Sequence, residues 1–175
     1  MDVGVTGQDE AARLRGGIAQ LLPELRAAAR LLTFSRTEAD DLVQEAVLRM
    51  LRALDGFTAP PEHAGDPRAA LRAWGLTILR NTFREGWRRA KRERAHIEEE
   101  SAEEPHANGA EEQEQLHDLS RAMSALPPAL REALVLVGAQ GLSHEEAAEV
   151  CKVPVGTMKA RVSRARAAVA KAMRH

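Results

Sequence analysis

Apolar residues recur at three- and four-residue intervals along most of the chain, which is the spacing of one buried face of an α-helix. Three long helices are predicted in the first half, over about residues 10–32, 37–54 and 68–94. Thr37 is expected to cap the second of them, because the acidic side chains that follow it suit the positive end of a helix dipole. A loop rich in proline and glycine, residues 56–67, leads into the third helix. The pattern predicts an all-α fold.

Shorter helices are predicted in the last third of the chain, where proline and glycine interrupt the apolar pattern. One short helix covers residues 119–126. The next follows Pro127 and Pro128 and ends near Gly141, which is placed as a C-terminal cap glycine.

A helix-turn-helix is predicted after Gly141. Ser143 and Glu146 have the spacing of a capping box and start a short helix. A turn at Lys152 follows, and Pro154 suits the first position of the final helix. That helix has two distinct faces, and its apolar stripe consists of Met158, Val162, Ala165, Val169 and Met173.

Hydroxyls and cations occupy the positions around this stripe and are candidates for DNA contacts: Thr157, Lys159, Arg161, Ser163, Arg164 and Arg166. A helix that buries one stripe and carries cations on both shoulders fits the major groove, where Arg and Lys reach phosphates and guanine edges. Thr157 lies in the first turn, where a helix N-terminus favours a phosphate. The competing interpretation is an amphipathic helix whose basic face is merely solvated.

Charged residues also cluster in the first half of the chain. Arg80, Arg84 and Arg88 are four residues apart, so they share one line along the third helix and can follow a phosphate backbone. Trp74 on the same helix is either a core residue or a platform for base stacking. An acidic set near the start of the second helix is either a surface charge bias or a docking site: Asp40, Asp41, Gln44 and Glu45.

Composition excludes several functions. The single cysteine, Cys151, cannot form an internal disulfide, and the scattered histidines give no metal or cofactor site. Cys151 is expected to be a small buried residue at a helix end. No signal pattern or membrane-length apolar run is present, so the expected compartment is the cytoplasm. No pairing of nucleophile and base supports catalysis, and the chain is interpreted as a non-enzyme.

Charge is strongly segregated along the chain, although the net charge is only −1. Residues 96–118 contain nine acidic side chains and no Lys or Arg, whereas the segments on both sides are net basic. This segment is almost without apolar residues and is predicted to be a flexible linker. The chain is therefore expected to form two small helical domains, residues 10–95 and 119–175, joined by an acidic linker, residues 96–118.

The C-terminal part resembles region four of the bacterial extracytoplasmic-function (ECF) sigma factors. Residues 126–134 match the Leu-Pro-rich helix of that region, and residues 155–161 match its Val-Gly-Thr-x-Lys-x-Arg ending. Residues 136–149 are similar to the general-stress-response subgroup. One departure is Lys152, which occupies a turn position usually filled by glycine. A left-handed residue other than glycine costs about 1 kcal/mol there.

The N-terminal part resembles region two of the same family. Residues 40–45 are similar to the helix that docks on the clamp helices of RNA polymerase, which implies that Asp40, Asp41, Gln44 and Glu45 bind polymerase. Trp74 and residues 79–89, which include Asn81, resemble the helix that meets and opens the minus-ten element. The loop at 56–67 would lie where the family captures an unstacked base.

The resemblance implies a sigma factor that binds core RNA polymerase and promoter DNA and directs transcription initiation. Region four would recognise the minus-thirty-five element and region two the minus-ten element. The similarity to the stress-response subgroup implies a small anti-sigma protein as a further partner.

Two other functions remain open from the sequence. One is a stand-alone helix-turn-helix repressor or activator, against which the acidic docking motif and the basic third helix argue. The other is a sigma-like decoy that sequesters an anti-sigma protein, which would not need cations on the recognition helix.

Overall fold

The chain is described here by a computed structural model over residues 7–63, 65–96 and 111–174. Within that part all regular structure is helical, as predicted. The α-helices in order are α1 (Gly7–Thr33), α2 (Arg36–Arg52), α3 (Pro67–His96), α4 (Glu111–Ser124), α5 (Pro128–Leu134), α6 (His144–Cys151) and α7 (Val155–Ala172). Two short 3₁₀ turns, Leu54–Gly56 and Pro61–His63, lie between α2 and α3.

Helices α1, α2 and α3 pack around apolar side chains that are almost completely buried: Leu21, Leu25, Met50, Leu76 and Leu79. Two glycines permit close helix crossings. A Cβ atom on Gly17 would lie 2.6 Å from Cδ2 of Leu71, and one on Gly75 would lie 3.0 Å from Cε of Met50. A side chain at either position would press on its neighbour, so α1 and α2 each lie close to α3 at these glycines.

The predicted start of α2 was wrong by two residues. Ser35, not Thr37, caps the helix, and its hydroxyl accepts a hydrogen bond from the backbone N–H of Glu38 at 3.3 Å. The chain turns at Phe34, which has a left-handed φ of 59°. Because the turn precedes Ser35, the helix begins at Arg36 and Thr37 lies inside its first turn.

The C-terminal unit, α4–α7, follows the predicted pattern of breaks. Pro127 precedes α5 and Pro128 occupies its first turn, where the missing N–H costs nothing. A π-helical turn, Val135–Ala139, continues α5. Gly141 then reverses the chain with a φ of +69°, as expected of a cap glycine.

The predicted linker is shorter than its charge pattern indicated. Helix α3 continues to His96 and α4 begins at Glu111, so residues 111–118 are helical and not linker. Glutamate and glutamine are good helix formers, and they can therefore extend a helix as readily as they solvate a linker. The interior of the predicted linker, residues 97–110, lies outside the described residues.

The two units are packed against each other and share one continuous apolar core. Helix α6 packs on α3, and α5 with its π-helical turn packs on α1. The guanidinium of Arg131 donates to the carbonyl oxygen of Leu32 at 2.6 Å, and that of Arg72 donates to the carbonyl oxygen of Gln140 at 2.6 Å. We call this the closed arrangement. The relative placement of the two units was not predicted from the sequence.

Candidate nucleic-acid interface

The predicted capping box at the start of the helix-turn-helix is present. The backbone N–H of Ser143 donates to Oε2 of Glu146 at 2.7 Å, and the backbone N–H of Glu146 donates to Oγ of Ser143 at 3.1 Å. The hydrogen bond from the Ser143 N–H lowers the pKa of the Glu146 carboxyl. Two otherwise unpaired backbone donors are therefore satisfied where α6 begins.

The turn between α6 and α7 is made at Lys152, which has φ 53° and ψ 52°. This is the left-handed conformation that glycine adopts without strain, so Lys152 makes the turn in the backbone conformation for which glycine is favoured. The backbone N–H of Val153 donates to the carbonyl oxygen of Ala148 at 3.0 Å and closes the turn. Pro154 is the N-cap residue of α7 and not its first helical residue, one position from the prediction.

Helix α7 has the two faces that its sequence predicts. Met158, Val162 and Ala165 are 1% exposed or less, whereas the stripe fades at Val169 and ends at Met173, which is 46% exposed. The candidate DNA-contacting side chains on the outer face are exposed: Lys159, Ser163, Arg164 and Arg166. Thr157 is half-buried in the first turn. The helix thus presents hydroxyl and cationic groups together on one accessible surface.

Arg161 differs from the other α7 candidates. Its side chain is half-buried, and its Nη1 atom is buried without a hydrogen-bond partner in the described part of the chain. It lies on a shoulder of the apolar stripe, where packing rather than spacing decides how far a side chain is drawn in. Of the cationic candidates on α7, it is the least available to DNA.

The candidate residues of α3 divide into two pairs. Asn81 and Arg88 are exposed. Arg80 and Arg84 instead form ion pairs with Glu132 of α5, at 3.1 Å from Nε of Arg80 to Oε2 and 2.5 Å from Nε of Arg84 to Oε1. In the closed arrangement these two arginines contact the C-terminal unit, so they are not free to follow a phosphate backbone.

Glu132 was missed by the sequence analysis. Its side chain is 1% exposed, which is unusual for a carboxylate without charged partners. A signal was present, because the residues three and four positions away along the helix, Pro128, Val135 and Leu136, are all apolar. An acidic residue in the middle of an apolar helix face indicates a buried ion pair, although it does not identify the partners.

The two tryptophans of α3 have different surroundings. Trp74 is half-buried and its ring centroid lies 4.7 Å from that of Phe57, at the start of the loop before α3. It therefore packs against the core, which is the first of the two predicted alternatives, and it also contacts Phe57 of that loop. Trp87 is half-buried farther along, and the ammonium of Lys91 lies 5.3 Å from its ring centroid.

The acidic set on α2 forms an exposed surface. Asp40, Asp41 and Gln44 are exposed, and Glu45 accepts a hydrogen bond from Nε of Arg49 at 2.8 Å. That hydrogen bond lowers the pKa of Glu45. Two large apolar residues on the same helix are exposed: Leu48, which the sequence analysis did not single out, at 47%, and Leu51 at 42%. Their spacing from Asp41 and Gln44 puts all four residues on one face, which suits a protein partner.

Two family models match the chain: Sigma-70 region 2 over residues 18–93 and Sigma-70, region 4 over residues 116–169. The ECF RNA polymerase sigma factor EcfG of Rhodopseudomonas palustris is 41% identical over 159 residues, which cover 87% of this chain and 81% of that protein. The chain belongs to the ECF RNA polymerase sigma factors. The region 2 model covers the α2 and α3 candidates, and the region 4 model covers the α7 candidates.

Solved structures agree with this family. The sigma factor RpoE in complex with the anti-sigma factor NepR from Bartonella quintana matches with a TM-score of 0.69 at 35% identity, over 90% of this chain and 94% of that chain. The anti-anti-sigma factor PhyR complexed with NepR, from the same organism, matches with a TM-score of 0.60 at 19% identity, over 89% of this chain and 49% of that chain. The second match shows a shared fold alone.

Cys151 is buried at the end of α6, as predicted, and burial raises the pKa of its thiol. Among the described residues no group of His, Cys, Asp and Glu side chains is arranged to hold a metal ion. No helix in the described part of this sigma factor is long and apolar enough to cross a membrane.

Proposed function

We propose that this ECF sigma factor binds core RNA polymerase through α2 and directs initiation by recognising promoter DNA with α7 and α3. One observation carries the proposal. Lys159, Ser163 and Arg166 point away from the protein on a helix whose opposite side is fixed in the core. A helix anchored on one face and cationic on the other is what the major groove admits.

Helix α7 is the reader of the minus-thirty-five element in this proposal. Arg and Lys on its outer face donate to guanine edges and phosphates, and Ser163 donates or accepts at a base edge. The half-buried Thr157 and the free backbone N–H groups of the first turn contact a phosphate, which fixes how deep the helix lies in the groove.

Helix α3 and the loop before it are the reader of the minus-ten element. The exposed Asn81 and Arg88 meet the DNA first, and Arg80 and Arg84 join them when the ion pairs with Glu132 open. Trp74 and Phe57 hold the loop at 56–67 against α3, where it can receive an unstacked base.

The α2 surface supports polymerase binding. It combines the acidic Asp40 and Asp41 with the exposed apolar Leu48 and Leu51. Apolar contacts supply most of the free energy of such an interface, whereas the charges set its orientation and speed of association.

Control by a small anti-sigma protein in a stress response is part of the proposal. Its support is the match to a sigma factor solved with the anti-sigma factor NepR. The chain acts by binding and positioning polymerase and DNA, without covalent catalysis. It acts in the cytoplasm, where polymerase and promoter meet.

Transcription in vitro tests the proposal. Purified chain is added to core polymerase on a panel of promoters, and the expected result is specific initiation that requires both components. A stand-alone regulator would bind duplex DNA without polymerase, and a decoy would do neither. Leu48→Asp is expected to abolish initiation at a protein concentration that suffices for the wild type. Leu119→Asp, at another exposed apolar position, on α4, is the control.

The decoy remains the second candidate, because the anti-anti-sigma factor PhyR shares the fold. The exposed cations of α7 argue against it. A protein that only captures an anti-sigma factor has no use for a basic recognition helix.

A further inference from the structure

The ion pairs between Glu132 and two arginines of α3 connect the two units of the chain. Glu132 belongs to α5, and Arg80 and Arg84 belong to the helix proposed to meet the minus-ten element. We infer that Glu132 is a latch that holds this sigma factor in a self-inhibited closed arrangement, and that the latch must open before α3 engages DNA. This inference rests on the proposed function of α3.

Glu132 pairs with the two arginines that α3 would use to bind DNA. The side chains of Arg80 and Arg84 are 16% and 19% exposed, and both guanidinium groups face a carboxylate that is 1% exposed. A phosphate can reach neither arginine in this position. Glu132 thus takes the place that the DNA backbone would occupy.

The surroundings of the latch cover the same side of α3. Helix α6 packs on α3, and Arg72 at the start of α3 donates to the carbonyl oxygen of Gln140 at 2.6 Å. The C-terminal unit therefore contacts α3 near its first turns as well as at the latch.

A buried ion pair can open at a small cost in free energy. A buried ion pair gains attraction at the expense of hydration, so the two states of such a pair differ little in free energy. The Arg84 pair is also imperfect, because Nε of Arg84 and Oε1 of Glu132 are close but not aligned for a hydrogen bond. When the units separate, all three groups regain water. A partner that binds only the open form can therefore shift the equilibrium.

The ion pair also makes the closed arrangement specific. Apolar residues from both units, among them Leu32, Leu76 and Val135, meet next to Glu132 and surround a small cavity. Apolar contacts alone are non-directional. If the Glu132 carboxylate were removed, the closed arrangement would leave Arg80 and Arg84 partly buried without a counter-charge.

The test compares Glu132→Gln with Glu149→Gln in the full chain. Both substitutions remove one negative charge from the C-terminal unit, but Glu149 is exposed on α6 and its ion pair with Lys152 is a long 3.5 Å. Two quantities are measured: the radius of gyration by small-angle X-ray scattering, and the affinity for a short fluorescein-labelled single-stranded DNA by anisotropy.

We expect Glu132→Gln to have a larger radius of gyration than Glu149→Gln and to bind the DNA about tenfold more tightly. Removing the Glu132 charge leaves two arginines partly buried without a counter-charge, which strongly destabilises the closed arrangement. Equal radii and equal affinities in the two variants would overturn the latch. A larger radius with unchanged affinity would overturn the self-inhibition, because opening would then expose no DNA-binding group.

Circular dichroism checks that Glu132→Gln is folded. If it is not, Glu132→Asp is used, which keeps the charge but withdraws the carboxylate from the arginines. A smaller increase in the radius of gyration and in DNA affinity is then expected, and the absence of both would overturn the latch. Failure of the wild-type chain to direct initiation with core polymerase would defeat the proposed function instead. The scattering result does not depend on that function.

Discussion

The guanidinium of Arg131 lies 5.4 Å from the ring centroid of Phe34, so a cation of α5 covers an aromatic ring at the turn between α1 and α2. The same guanidinium donates to the carbonyl oxygens of Leu32, Ser124 and Leu126. Burial lowers the pKa of Arg131, which nevertheless stays charged. Arg131 and its neighbour Glu132 therefore both join the two units, through different chemistry.

Replacing Arg131 by methionine is expected to destabilise the chain by about 3 kcal/mol, because three carbonyl oxygens lose a charged donor while the volume is kept. Chemical unfolding followed by circular dichroism measures the loss. Arg121→Met on α4 is the control, since its ion pair with Asp118 is exposed and such pairs contribute less than about 1 kcal/mol. Equal losses in both variants would contradict the role given to Arg131.

Lys152→Gly is expected to stabilise the chain by about 1 kcal/mol, because glycine adopts the left-handed turn conformation without the steric cost that a side chain carries. Lys152→Ala keeps that cost and is expected to change little. The comparison is made by thermal unfolding. A glycine variant no more stable than the alanine variant would show that the turn is not strained.

Lys159→Ala and Arg164→Ala are each expected to weaken promoter binding by the polymerase holoenzyme about tenfold or more, since a base-edge contact discriminates by about 1–3 kcal/mol. Their circular dichroism and unfolding curves should match those of the wild type, because both side chains are exposed. Arg174→Ala removes the same charge beyond the end of α7 and is expected to have a much smaller effect. A loss of folding would contradict the placement of these residues.

The capping box is expected to make the stability of the helix-turn-helix depend on pH. The pKa of Glu146 is lower in the folded chain than its ordinary value of 4.5. Its contribution is therefore complete above that ordinary value and is lost as the pH falls through the lower folded-state pKa. The difference in Tm between the wild type and Glu146→Gln should be largest near neutral pH and should shrink in acid. A difference that stays constant with pH would show that the carboxylate charge does not matter.

Local chemistry made the helix-turn-helix predictable. The Ser143 and Glu146 pair lies within one turn, and the apolar spacing of α7 determines which side chains face outward, so both follow from neighbouring residues. The start of α2 was harder, because Thr37 and Ser35 are both acceptable caps and the backbone at Phe34 decides between them.

The closed arrangement could not be predicted in the same way. Glu132 pairs with arginines about fifty positions earlier in the chain, and the spacing of Arg80, Arg84 and Arg88 fits a phosphate backbone as well as it fits a carboxylate. The charge pattern of the sequence identifies groups that need a counter-charge. Only the packing of the two units shows which group supplies it.

In the proposed complex, α7 lies in the major groove of the minus-thirty-five element when polymerase is bound. An iron chelate attached at Ser163→Cys tests it by cleaving nearby DNA, and the native Cys151 stays unlabelled because it is buried. On a promoter that supports initiation, cleavage is expected to cluster around the minus-thirty-five element, whereas a chelate at Ala27→Cys on exposed α1 should give none there. An active holoenzyme that gives no cleavage at that element would contradict this placement of α7.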